Sequence, residues 1–198
     1  MKRRLRSLAV LVVIATVAGP VLAAGNANFL IGGRALDEDQ WEPVDQHGVF
    51  GVTVDFGGAD WPVHIEAGFY ASADEETVFD DTLLLEADLT AAVAEFCFGV
   101  NKTFEPGEKI RPFIGGGLAS VAADAELDSE ILGSVDDDDS SLAAYVHGGV
   151  FWRLGKRFNI GLDGRIVTGT DLTLFEEDID ADYVQLGLVL GFGWPASQ

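Results

Sequence analysis

The chain contains 198 residues, of which 48% are hydrophobic, 33 are acidic, 12 are basic and one is a cysteine, Cys97. Its length favours a single domain, and its apolar content excludes an intrinsically disordered protein. The net charge of −21 argues against nucleic-acid binding through a basic face. A single cysteine excludes an intramolecular disulfide and a multi-cysteine metal site, so we expect packing and backbone pairing to stabilise the fold.

Residues 1–24 have the composition of a secretory signal peptide. A basic start precedes an apolar run from Leu8 to Ala18, and small residues follow it. The apolar run is shorter than the roughly 20 residues that a membrane anchor needs. We therefore predict cleavage after Ala23 or Ala24 and an exported mature domain, residues 25–198, with eight basic and 33 acidic side chains.

Beyond residue 25, apolar and polar residues alternate in segments of about ten residues, most clearly in Phe50–Phe56. This alternation predicts strands with two different faces, each long enough to cross a bilayer when tilted. In the fourth segment the pattern changes near residues 92–94, which a bulge would explain. An even number of strands suits an all-β, eight-stranded antiparallel up-and-down transmembrane β-barrel. The predicted strands are 28–36, 47–57, 61–73, 88–104, 110–123, 142–154, 157–169 and 183–194.

The connections between these strands alternate between short and long, and their charges differ. The four long connections carry 25 of the 33 acidic residues and none of the eight mature basic residues. Outer-membrane barrels have short periplasmic turns and longer outer loops, so we expect the acidic end outside the cell and both termini in the periplasm. Asp136–Asp139 lacks the ligand spacing of an EF-hand, and we predict a solvated, mobile loop. The long connections are residues 37–46, 74–86, 124–140 and 171–182.

One parity of the strands carries charged residues beside many glycines, including four arginines and four carboxylates. A narrow interior needs small residues beside paired charges, whereas a water-exposed surface would carry more lysine. The opposite parity carries more apolar area than the interior of eight strands can hold. We therefore favour a wall in contact with lipid over a soluble lipocalin-like barrel or a sandwich. The predicted lumen charge network is Arg34, Asp55, Glu66, Glu95, Arg111, Arg153, Asp163 and Arg165.

The tryptophans follow the same division. Trp61, Trp152 and Trp194 lie near the short-turn ends of their strands, where they are expected to form a membrane-interface girdle. Trp41 lies among acidic residues in the first long connection, and we predict an isolated, exposed aromatic there.

Two local motifs carry a resemblance to a known family. Arg111–Leu118 (RPFIGGGL) is similar to the rPYxGxG strand of small outer-membrane barrels, and Gly191–Trp194 (GFGW) closes the last strand on an aromatic. With these motifs, residues 26–194 resemble the OmpA/OmpX-type, porin-like outer-membrane β-barrels. The resemblance implies a Gram-negative outer membrane and insertion by the barrel-assembly machinery. That family usually ends on the terminal aromatic, whereas Pro195–Gln198 follows it here.

Some outer-membrane barrels of this size modify lipids, and His147 is the natural candidate for such chemistry in this sequence. A lipid A deacylase would show a His-x-Ser-Asn pattern, but the sequence at His147 reads HGGV, which places no serine within reach of the ring. We therefore expect His147 to be a hydrogen-bonded residue of the lumen. His64 and Glu66 share a strand face, but two residues do not make a metal site. Cys97 is expected to be an interior packing residue. We predict no catalytic residue, metal or cofactor.

The sequence therefore predicts a monomeric barrel with a structural or interaction role, because paired charges would close a lumen this narrow. Its expected partners are outer-membrane lipid and lipopolysaccharide, the latter through divalent cations at the acidic loops. Two alternatives remain open. The first is a narrow porin or a channel for small apolar solutes, and the second is a lipid-modifying enzyme.

Overall fold

A computed structural model describes residues 24–58, 61–80, 85–105, 109–129 and 133–194. The eight long strands confirm the predicted architecture. They are β1 (Ala24–Leu36), β2 (Gln46–Gly57), β3 (His64–Asp80), β4 (Leu85–Thr103), β5 (Ile110–Ser129), β6 (Gly133–Arg153), β7 (Phe158–Thr168) and β10 (Tyr183–Trp194). A short helix, α1 (Glu38–Trp41), and a small hairpin of β8 (Leu172–Leu174) and β9 (Glu177–Ile179) complete the fold. The predicted signal peptide lies outside the described residues, apart from Ala24, which begins β1.

The long strands form one closed antiparallel barrel in which each strand pairs with its neighbours in the sequence. The first and last strands close it, in a register that runs from Gly25 opposite Trp194 to Leu36 opposite Tyr183. Successive side chains point to opposite faces of such a wall. On β10 buried and exposed residues alternate from Tyr183 to Gly191, with Val189 buried and Leu188 exposed.

The outer wall is a belt of exposed apolar side chains, as the alternation predicted. It surrounds the barrel on every long strand, so the barrel is apolar outside and polar inside. Members of the belt include Phe29, Ile31, Phe50, Phe69, Phe96, Phe98, Ile114, Leu118, Val146, Leu162, Ile166, Leu186, Leu188 and Leu190.

None of the helices among the described residues is long and apolar enough to cross a membrane.

Where the structure describes them, two of the long connections are strand, which corrects the prediction of a solvated, mobile loop at Asp136–Asp139. The pairing of β2 with β3 ends at Ala73, and that of β6 with β7 ends at Ala144. Beyond these points β3, β4, β5 and β6 continue as a four-stranded extension, which we call the projecting sheet. Its residues 133–143 on β6 span roughly 35 Å at about 3.3 Å per residue. The projecting sheet comprises residues 74–80, 85–91, 124–129 and 133–143.

Backbone pairing and an apolar inner face explain why this acidic sequence is ordered. Small and branched side chains of β4, β5 and β6 are buried on the inner face of the wall as it leaves the barrel, whereas Asp136 and Asp138 point outward and are exposed. The register between β3 and β4 runs without interruption from His64 to Asp80, so the expected bulge near residues 92–94 is wrong. The apolar residues that suggested it are Ala91 and Val93, which simply continue the inward parity above Glu95.

The other two long connections fold over the mouth of the barrel, and we call them the lid: residues 37–45 and 169–182. Trp41 is buried in the lid at 4% exposure, so the prediction of an exposed aromatic is wrong. It belongs to an apolar cluster because both connections supply spaced hydrophobic residues. Gly169 adopts a positive φ of 85°, which glycine accommodates without strain, where the chain leaves β7. The buried apolar residues of the lid are Trp41, Val44, Leu172, Leu174 and Ala181.

Candidate functional site: a charged layer in the lumen

The centre of the lumen holds an ion triplet delivered by three strands. Glu95 on β4 is hydrogen-bonded by Arg165 on β7, and its other oxygen lies 3.5 Å from the Arg34 guanidinium on β1. All three side chains are completely buried. Burying an isolated charge in such a place would cost about several kcal/mol of desolvation free energy. The three charges are tolerated there because they pair with one another.

Aromatic rings fill the space around the two guanidinium groups. The Arg34 guanidinium lies 3.7 Å from the ring centroid of Tyr183, whose hydroxyl donates to Glu95. Arg165 lies 3.9 Å from the Tyr145 centroid and 4.7 Å from that of Tyr70. These are cation–π distances. Side chains of this size leave little of the cross-section of an eight-stranded barrel open.

Arg34 also donates hydrogen bonds to uncharged side chains, which fix the orientation of its guanidinium group. Its Nε and Nη2 donate to Gln185 Oε1 at 3.3 and 3.0 Å, and its Nη1 donates to the Ser72 hydroxyl at 3.1 Å. Because these partners lie on β10 and β3, the guanidinium ties together strands that flank β1 on its two sides.

A second cluster is built around His147 on β6. Its Nδ1 lies 2.8 Å from Asp163 Oδ2, and its Nε2 lies 3.2 Å from Glu66 Oε1. Glu66 also accepts from the Tyr145 hydroxyl at 3.2 Å and from Asn101 at 3.0 Å. The contact with Asp163 is a hydrogen bond, whereas the contact with Glu66 is an ion-pair distance without hydrogen-bond geometry.

The two clusters together balance in charge. Arg34, Arg165 and His147 supply three positive charges when the ring is protonated, and three carboxylates face them: Glu66, Glu95 and Asp163. These six ionic side chains, which we call the charged layer, lie across the middle of the barrel.

Above the charged layer, apolar residues and the lid cover the lumen. Val93, Val121 and Val167 are fully buried beneath the lid. The two lid segments are joined by Trp41 Nε1, which donates to the carbonyl of Asp180 at 2.7 Å, and by the Asp180 amide, which donates to Gln40 at 2.6 Å. His47 Nε2 lies 2.9 Å from the carbonyl of Val44 and so ties the lid to β2.

The lid is also fastened to the projecting sheet. The backbone amides of Thr173 and Phe175 donate to Asp139 and Asp137 at 2.8 and 2.7 Å. Two of the four consecutive aspartates therefore bind the backbone of the lid hairpin instead of lying free in solvent.

Directly below the charged layer, the side chains that point into the lumen are polar but uncharged. Asn28 donates to Thr53 at 3.3 Å, and a cavity of about 20 Å³ beside them is large enough for one water molecule. Lower still, His64 Nδ1 lies 2.9 Å from Asp55, which also accepts from Asn26.

The predicted lumen residues divide into two groups by depth. Arg34, Glu66, Glu95, Asp163 and Arg165 meet in the charged layer, and Asp55 lies below it. The structure does not place the remaining two arginines in this network. Arg111 pairs with Glu105 of the short turn, and Arg153 is exposed at the end of β6. Both residues share the inward parity, but they lie at the end of the barrel, where their side chains are accessible to solvent.

The predicted girdle residues lie at the short-turn end. Trp61 and Trp152 are exposed, and Trp194 is half-buried on the outer wall, where its ring covers Gly25. Trp61 lies in the turn before β3, because that strand begins at His64 and not at residue 61.

No protein-family model matches this sequence, and no curated protein matches it. Solved structures do match. Neisserial surface protein A has a TM-score of 0.53 at 10% identity, covering 89% of this chain and 99% of its own. OprG from Pseudomonas aeruginosa has a TM-score of 0.54 at 12% identity, covering 88% and 95%. Ail, the attachment invasion locus protein of Yersinia pestis, has a TM-score of 0.51 at 12% identity, covering 86% and 96%.

The chain has the fold of these small outer-membrane barrels. At such low identity the likeness concerns the backbone alone, so the charged layer and the lid are properties of this chain's own residues. His147 is the lumen residue that the sequence predicted, but sequence reasoning missed three parts of the site: its position between two carboxylates, the cation–π contacts of the tyrosines, and the burial of Trp41. The first two carried a signal, since His147 and Tyr145 lie on the polar parity with the arginines.

Proposed function

We propose that the protein is an integral outer-membrane β-barrel with a structural or interaction role at the cell surface. The observation that carries this proposal is the inversion of polarity: an ion cluster is buried inside a closed barrel whose outer wall exposes large apolar side chains. A wall of this kind is stable against hydrocarbon, whereas in water such an apolar area would cause aggregation.

The same proposal places the protein in the outer membrane of a Gram-negative cell. An N-terminal signal peptide would direct its export, and the barrel-assembly machinery would insert it as a monomer. The lid and the projecting sheet would face outward, where their carboxylates could contact lipopolysaccharide through divalent cations. The short turns would face the periplasm.

Neither a pore nor an enzyme is the function that we propose. The charged layer, the apolar residues above it and the lid together occupy the lumen from its middle to its outer mouth. Both ring nitrogens of His147 face carboxylates, which supports a structural role for this ring. A narrow porin and a lipid-modifying enzyme are therefore the weaker alternatives.

Membrane fractionation and heat-modifiable migration test the class of protein. We expect the protein in outer-membrane fractions, with a faster-migrating folded band in unboiled samples. Cysteines placed at Asp137 and Lys156, in a Cys97→Ala background, test the topology. Only the first should react with an impermeant reagent in intact cells. A soluble protein would refute the proposal, and the reverse labelling would refute the orientation.

A further inference from the structure

Basic side chains outside the lumen gather at one end of the barrel. Of the eight basic residues that follow the predicted signal peptide, Arg34 and Arg165 are buried in the charged layer. The other six lie at or near the short-turn end: Lys102, Lys109, Arg111, Arg153, Lys156 and Arg157. Among the described residues, Arg111 is the one member of this group with a carboxylate within 4 Å. This end therefore offers cations that no described carboxylate neutralises.

Two of these cations border a groove that also contains apolar surface. Lys109, Trp152, Arg153, Leu154 and Gly155 line a groove of about 530 Å³ where β5 begins and β6 ends. The Arg153 amide donates to the Lys109 carbonyl at 2.8 Å, which fixes the two backbones side by side. Trp152 and Leu154 are exposed beside them.

The outer wall next to the groove is apolar, and it continues into the belt of exposed apolar side chains. Ile110 is paired with Trp152 across the strands, and Ile114 lies four residues further along the same face of β5; both are exposed. A ligand bound in the groove can therefore place an anionic group against Lys109 and Arg153 and a hydrocarbon chain along this wall.

We propose that this groove binds the phosphate headgroup of an anionic glycerophospholipid in the leaflet that faces the short turns. The inference rests on the proposed membrane location. Charge complementarity selects the ligand, because basic pockets at a membrane surface hold anionic headgroups and the opposite end of this barrel, which is acidic, repels them. The apolar half of the groove selects a lipid over a free phosphate ion. Interfacial tryptophan suits the boundary between headgroup and chain.

The test uses the full mature barrel refolded into phosphatidylcholine vesicles that contain a trace of spin-labelled lipid. We expect spin-labelled phosphatidylglycerol to associate with the wild-type barrel about fivefold more strongly than spin-labelled phosphatidylcholine. The double variant Lys109→Gln/Arg153→Gln should abolish this preference. Arg157→Gln is the matched control, because Arg157 lies at the same end but outside the groove, with its guanidinium 5.9 Å from the Phe192 ring centroid on β10. The control should keep the preference.

Three outcomes separate the possibilities. If a correctly inserted wild-type barrel showed no preference for phosphatidylglycerol, the inference would be overturned. An acidic periplasmic protein would then be the better candidate ligand for this end of the barrel. A preference that survives in the double variant would also overturn it, since the selectivity would then belong to the barrel as a whole. Failure to form a heat-modifiable band in vesicles would instead refute the proposed membrane function, and the inference with it.

Discussion

Trp41 and Asp180 are 139 residues apart in the sequence, yet the indole Nε1 donates to the carbonyl of Asp180 at 2.7 Å. This hydrogen bond joins the first long connection to the last across the mouth of the barrel. Because the indole is also buried among apolar lid residues, one side chain provides both the packing and the polar contact that hold the lid closed.

Trp41→Ala should therefore loosen the lid. Removing a buried tryptophan costs about 3–5 kcal/mol, and here the loss should fall on the lid before it reaches the barrel. We expect faster cleavage by a glutamate-specific protease, since Glu38, Glu42, Glu176 and Glu177 all lie in the lid. Trp61→Ala is the control, because Trp61 is exposed in a turn at the other end. Equal cleavage of the two variants would contradict the closing role of Trp41.

The sequence predicted the barrel well because each strand separates two different environments. Where one face meets an apolar surrounding and the other a polar interior, the alternation is strong and the strand is legible. The projecting sheet was missed because small and apolar residues alternate there with acidic ones, as in residues 124–128 (DAELD), a composition that is also typical of loops. The lid was missed because the contact of Trp41 with Asp180 depends on tertiary packing alone.

The sequence predicted which side chains point into the barrel, but not how far along the barrel axis each of them lies. Arg34, Arg165 and Arg153 share the inward parity, and nothing in the local sequence says that the first two lie at the centre of the barrel and the third at its end. Depth depends on the stagger between strands, which is set when the barrel closes.

Arg165→Ala should destabilise the barrel. It leaves Glu95 with Arg34 alone, at 3.5 Å, and empties the space between Tyr145 and Tyr70. Removing one partner of a buried ion pair costs about 3–5 kcal/mol, which should lower the urea concentration at which the folded gel band disappears. Arg153→Ala removes the same side chain from an exposed position and should change stability by less than about 0.5 kcal/mol. Equal midpoints for the two variants would argue against a buried ion layer.

His147→Ala should leave Glu66 and Asp163 without the cation that lies between them. Two buried carboxylates then face each other across an emptied space, and we expect a loss of about 3–5 kcal/mol in the same urea assay. Adding Asp163→Asn should recover part of the loss, because one of the two stranded charges is then absent. Strictly additive losses in the double variant would show that the histidine acts by packing rather than by charge.

Asp182 gives the lid a dependence on pH. Burial would raise the pKa of its carboxyl group, but hydrogen bonds from the Thr168 hydroxyl, at 2.7 Å, and from Thr170 and Gly169 hold that pKa below its ordinary value. A depressed pKa means that the carboxylate adds stability above the ordinary aspartate value of about 3.9 and loses it as the pH falls through the folded value. Amide exchange at Thr170 should therefore differ between wild type and Asp182→Asn at pH 6, and the difference should shrink below about pH 3.5. A difference independent of pH would contradict this.

Leu188→Arg tests which face of β10 meets lipid. Leu188 is exposed on the outer wall near the middle of the strand, while Val184, on the same face, lies one residue from its outer end. An arginine on the lipid face costs roughly 2–4 kcal/mol at the bilayer midplane and about 0–1 kcal/mol near the interface. We therefore expect Leu188→Arg to lower the urea midpoint of the vesicle-inserted barrel strongly and Val184→Arg to lower it little. Because the two substitutions introduce the same charge on the same face, only depth in the membrane distinguishes them. If both were tolerated equally well, the apolar wall would face water and the soluble barrel would be the better description.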